Sequence, residues 1–126
     1  SCGARPTTEG ETDLALLLSS LQPRLHPERY AFEFVGEAAL GDAFAIIRED
    51  EGLTAIRSQS QGEWARISLE VHSSLSAVGL TAALSSTLAE AGISANIVAA
   101  LRHDHLFVPW DRREEALDRL MALAEA

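Results

Sequence analysis

Lysine is absent from this chain of 126 residues, cysteine occurs once, and aromatic residues make up only 6%. Without lysine there is no Schiff-base chemistry and no lysine for a phosphate-binding loop. The single cysteine, Cys2, excludes an intramolecular disulfide, which fits a reducing compartment. Long apolar runs are missing as well. None exceeds the five residues of 14–18, far short of the ~20 residues a membrane-spanning helix needs, and short of a signal segment too. A cytoplasmic location with no membrane association is therefore expected. Positive charge is scarce, because ten arginines face nineteen acidic residues for a formal net charge of −9. That balance repels phosphate backbones and anionic lipid, so nucleic acid is not an expected partner either.

What is present is an ordinary globular composition, 47% apolar and 23% charged, in a length that suits one compact unit or two small halves sharing a core. Residues 1–11 lack apolar periodicity and read as a disordered leader or a remnant of cloning. Thr12 or Asp13 can cap a short helix over residues 14–21, ended by Pro23 and Pro27. Strands are expected at residues 30–35, 43–48 and 53–57, with the acidic and glycine-bearing residues 49–52 as a hairpin turn. Polar residues 58–62 mark an internal boundary.

The second half alternates more clearly. Over residues 64–72, Ile67, Leu69 and Val71 share one side, and Arg66, Ser68, Glu70 and His72 the other. A helix is expected at residues 76–91, stopped by Gly92, then strands at 93–100 and 101–108. A capping box from Asp111 to Glu114 opens a closing helix to about residue 123. Strand, helix, strand, strand, helix is most of a split βαβ sandwich, an antiparallel sheet with helices on one face.

Three places can carry chemistry. Ser73 and Ser74 follow His72, but strand neighbours point to opposite faces, and no nucleophile elbow or Cys/His pair occurs. These serines read as the end of a strand, and no catalytic residue is assigned. His103 and His105 share a strand face and can hold one metal ion, yet no further cluster supplies the ligands a site needs, so no metal or cofactor is assigned. The third place is the junction of residues 72–80. A strand running directly into a helix leaves free N–H groups that suit a small carboxylate, and the small residues Ser74, Ser76, Ala77 and Gly79 would let it approach. Serine capping and tight helix–sheet packing explain the same residues equally well.

The segments His72-Ser73-Ser74-Leu75-x-Ala77-Val78-Gly79-Leu80-Thr81-Ala82, Leu88-Ala89-x-Ala91-Gly92-Ile93-Ser94-x-Asn96 and His103-Asp104-His105-Leu106-Phe107-Val108-Pro109 resemble the small bacterial ACT-domain proteins. They are also similar to the ACT repeats of the animal cytosolic arginine sensor and of aspartate kinases. The resemblance is strong over residues 66–123 and extends weakly over 30–57 through Arg48-Glu49-x-Glu51-Gly52-Leu53-Thr54. It implies an α+β, ferredoxin-like βαββαβ sandwich in two ACT-like halves, residues 12–61 and 62–126, after the leader 1–11. It further implies a non-catalytic regulatory protein that binds a free amino acid. By position, the ligand would meet Ser73, Ser74, Ala77, Val78, Gly79 and Leu80, with Ala100, Leu101 and Asp104 from the facing strand. A glutamate and a threonine of the arginine sensor fall on Ala77 and Ala100. Neither half contains every element of the unit, so strands are expected to be shared, and a homodimer through sheet-edge or helix-face contacts is expected. The rival readings are a small metal-dependent enzyme using His103 and His105, and an interaction module without a ligand.

Overall fold

The computed structural model describes residues 10–37 and 40–126. Helix α1 (Leu14–Ser19) starts at Asp13, whose side chain accepts from the Leu16 N–H at 3.2 Å and so satisfies one of the helix's free donors. The chain then enters β1 (Pro23–Val35), followed by β2 (Ala45–Glu49), β3 (Gly52–Ser58), β4 (Trp64–Leu69), α2 (Leu80–Glu90), β5 (Asn96–Ala99), β6 (Asp104–Pro109) and α3 (Arg113–Glu125).

Pro23 and Pro27 do not separate the first helix from the sheet as expected; both lie within β1. Pro23 is its first residue and Pro27 falls where the register with β4 shifts, between Leu25 and Arg29. These are the two kinds of strand position that spare proline a lost ladder bond. The bulge lets thirteen residues serve two partners. The first part of β1 pairs with β4, from Pro23 opposite Leu69, and the last part pairs with β3, to Val35 opposite Leu53.

One antiparallel sheet results, in the order β2-β3-β1-β4-β6-β5. The strands β1-β4-β6-β5 have the order of a βαββαβ unit whose last strand lies beside its first, but here the segment before the unit supplies that strand. Strand sharing is thus realised within the chain. The two halves share one sheet and do not form separate sandwiches.

All three helices lie on one face of this sheet. Leu17 and Leu21, Leu80, Leu84 and Leu88, and Ala116 and Leu120 pack with Ala65, Ile67, Leu69, Leu106 and Val108, all buried. Each such leucine contributes on the order of 1.5–3 kcal/mol through removal of its apolar surface from water.

Three local differences bear on the site. First, the expected strand to residue 72 ends at Leu69, and the expected helix from 76 begins at Leu80. The intervening backbone is tied elsewhere: Ser74 N–H donates to Glu11 O at 3.0 Å, Glu11 N–H to His72 O at 2.9 Å, and Ser76 N–H to Ser74 Oγ at 3.0 Å. Second, Gly10 and Glu11, read as part of the leader, are therefore docked, while residues 1–9 lie outside the described residues. Third, no Asp111 capping box forms. A 3-10 turn over Trp110–Arg112 precedes α3, and Arg112 binds Glu115 at 2.8 Å and the Ala91 carbonyl at the end of α2 at 2.9 Å.

Candidate functional site

Where β4 hands over to α2, Ser73, Ser74, Leu75, Ala77, Leu80, Thr81, Ala99 and Asp104 line a cleft of about 60 Å³. Gly79 turns the chain into α2 with φ of +96°, and no side chain caps the helix start. The first α2 bond joins Ala83 N–H to Gly79 O, which leaves the N–H groups of Leu80, Thr81 and Ala82 unspent within the helix. Free donors were expected within the junction of residues 72–80; the later helix start moves them along the chain to residues 80–82. They carry the positive end of the helix dipole toward the cleft.

Opposite them stands Asp104, the first residue of β6, buried at 8% exposure. Ser73, also buried, donates to its Oδ2 at 3.0 Å. Burial pushes the Asp104 carboxyl above its usual range, while the Ser73 hydroxyl and the nearby His103 pull it down. Among the described residues, the cleft therefore holds an acceptor with no ion-pair partner and helix donors with no anion.

Of the nine residues assigned from the resemblance, five line this cleft: Ser73, Ser74, Ala77, Leu80 and Asp104. Val78 points to solvent at 83% exposure, and Leu101 sits at 56% in the β5–β6 turn with exposed Ala100. Gly79 faces α1, because a Cβ there would lie 3.0 Å from Leu14 Cδ2. Ala99, Leu75 and Thr81 were not singled out. The register that sets Ala99 opposite Asp104 is what exchanges it for Ala100.

A second constellation lies on the other face of the sheet, which no helix among the described residues covers. Arg66 of β4 donates from Nε to the Tyr30 hydroxyl at 3.0 Å. Its Nη1 bonds His105 Nδ1 at 3.1 Å and its Nη2 bonds His26 Nδ1 at 3.2 Å. A guanidinium only donates, so both rings accept at Nδ1 and carry their proton on Nε2. Its Cζ also lies over the Phe44 ring, 4.5 Å from the ring centre. Desolvation, reinforced by the Arg66 charge, lowers His26 and holds His105 down at about 4. An aromatic strip continues from here through Phe107 and Phe32 to Trp64, with ring centres 5.4 to 5.8 Å apart along the chain Phe44–Phe107–Phe32–Trp64.

This cluster bears on the two enzyme readings. His105 does not share a metal cradle with His103, since its Nδ1 already faces a guanidinium, and among the described residues no group of three or more metal-ligating side chains converges. A Ser–His contact exists, His26 Nε2 to Ser68 Oγ at 2.8 Å, but Nε2 bears the proton. That histidine donates to the serine and is not set to remove its proton. Among the described residues no helix is long and apolar enough to cross a membrane.

The sheet order, the one-sided helices and the cleft at the β4–α2 junction can now be set beside known proteins. ACT-domain family models match twice, over residues 9–74 and 59–121, and the two matches overlap on β4 and the Ser73-Ser74 segment. No curated protein matches the chain. Among solved structures, a Vibrio cholerae protein of unknown function, described as a possible transport protein, is 39% identical. The match covers 88% of this chain and 95% of that one with a TM-score of 0.75. A protein from Agrobacterium tumefaciens shares the fold at 19% identity and a TM-score of 0.66, over 82% of this chain and 89% of its own. The chain belongs to the ACT-domain family.

Proposed function

We propose that the protein is a non-catalytic regulatory sensor that binds a free amino acid in the Ser73–Asp104 cleft and works as a cytoplasmic homodimer. The observation that carries this reading is the pairing of a buried, incompletely compensated Asp104 with unspent N–H groups at the start of α2. An α-amino acid brings both missing partners, an ammonium for Asp104 and a carboxylate for the helix end. The cleft alone is small, about 60 Å³ against the ~300–1,000 Å³ of typical ligand pockets. Its rim carries exposed Leu75, Val78 and Leu101, apolar surface suited to a second copy that closes over the ligand.

Calorimetry or thermal shift against the twenty amino acids tests the reading, with binding expected for at least one at millimolar concentration or below. Asp104→Asn keeps the shape and removes the charge, and should weaken that binding by ~1.5–3 kcal/mol. The same change should raise the ligand-free melting midpoint at neutral pH. A carboxyl whose folded pKa is raised loses stability as pH climbs from its ordinary value, 3.8, through the raised one, and asparagine has nothing to ionise. Tighter folding with weaker binding is the expected pair of signs. If none of the twenty binds, the sensor reading falls in favour of an interaction module.

A further inference from the structure

The open face of the sheet contains a cation with donors to spare. A guanidinium has five N–H bonds, and the contacts to Tyr30, His105 and His26 spend three, leaving one on each terminal nitrogen. Among the described residues, Arg48, Arg57, Arg112 and Arg119 each form an ion pair, and none joins Arg66 to a carboxylate. Two carboxylates, Glu28 and Glu70, act on the cluster's histidines from a distance, and Glu70 accepts from Ser68 at 3.4 Å. A half-buried charge held by neutral acceptors alone is an expensive arrangement, and one that an incoming anion relieves.

We propose that Arg66 is the anchor of a second binding site, independent of the Asp104 cleft, for a small monocarboxylate with an apolar body. The class follows from three features. Phe44 lies against one side of the guanidinium, its ring centre 4.5 Å from Arg66 Cζ, and the two remaining N–H groups, one on each terminal nitrogen, can meet the two oxygens of one carboxylate. Beyond it, Phe44, Phe32 and Trp64 offer a partly exposed aromatic strip for the apolar body, and Phe32 is 39% exposed. The chain's net charge of −9 repels polyanions but costs a single carboxylate little.

Benzoate, with benzamide as its neutral isostere, tests the site by NMR titration of the full chain. Benzoate should saturably shift resonances of β4 and β6 around Arg66 and His105, and benzamide should bind at least ten-fold more weakly. Arg66→Gln should cost at least ten-fold in benzoate affinity, while Asp104→Asn should leave it unchanged. The comparison of benzoate with benzamide needs only the wild type, so it stands even if Arg66→Gln fails to fold. Equal binding of the two probes, benzoate shifts confined to the Asp104 cleft, or unchanged affinity in Arg66→Gln would overturn the proposal. Light scattering adds one more check. A particle whose mass halves on Arg66→Gln would mean that a second copy supplies the carboxylate, and would overturn the small-molecule assignment.

Discussion

The two faces of the sheet solve the burial problem in different ways. Toward the helices, aliphatic side chains such as Ile67, Leu69, Leu106 and Val108 interlock, with the buried Asp104–Ser73 pair at their edge. On the open face, rings and a guanidinium share the space, and Tyr30 and Phe107 are buried with no helix of the described residues above them. The first face depends on shape, and the second on hydrogen bonds and ring stacking around one arginine. Damage to the aliphatic packing of the first should therefore appear as lost stability at any pH, and damage to the second as altered response to pH.

The largest effect is expected from Leu106→Ala. It removes a fully buried side chain from the helix-covered face and should cost ~2–5 kcal/mol in urea unfolding, since the cavity cannot fully collapse. A loss below ~1 kcal/mol would erase the contrast between the faces.

Acid comes next. His105 titrates at about 4 in the folded chain against 6.5 when free, so the unfolded chain takes up the proton first as pH falls. Its contribution is intact above pH 6.5 and is lost between there and about 4. With screening at this partly open position the loss is ~1–2 kcal/mol. His26 is shifted the same way. Unfolding curves from pH 7 to 4 should flatten in His105→Gln, and an identical slope in variant and wild type would remove the open face as a source of pH sensitivity.

A smaller change sharpens the packing side. Gly79→Ala places a methyl at φ of +96° and 3.0 Å from Leu14 Cδ2, and should cost about 1 kcal/mol. The smallest effect belongs to Phe34→Ser. This ring is 68% exposed at the far end of the open face, and its replacement should change stability by less than ~0.5 kcal/mol.

How much of this was legible beforehand depended on sequence distance. Alternation within residues 64–69 put Ile67 and Leu69 on one shared side, the side the helices cover, because period two is a property of one strand. The same alternation put Arg66 and Ser68 on the other side, and nothing local distinguished that side from solvent. The partners of Arg66 come from positions 26 and 30 on β1, 105 on β6 and 44 in the loop before β2, so only the sheet order brings them together. The cleft was half legible. Ser73, Ser74 and Leu80 follow from a strand handing over to a helix, and Asp104 from the family pattern. Its true edges, Thr81 and Ala99, depend on where α2 starts and how β5 registers with β6. The prolines misled because their ban from strands applies to regular interior ladders, not to a first residue or a bulge.

The long first strand also sets a timetable. β1 is made early, yet Leu25 cannot find its partner Ile67 until forty-two further residues have followed, and β4 in turn pairs with β6 near the end of the chain. Closing such loops costs entropy before any contact repays it, which slows folding and leaves an unpaired strand waiting. During that interval another chain's β4 is a chemically identical partner. Refolding at high protein concentration should therefore yield strand-exchanged dimers that dilution prevents, a hazard written into the topology and not into any single residue.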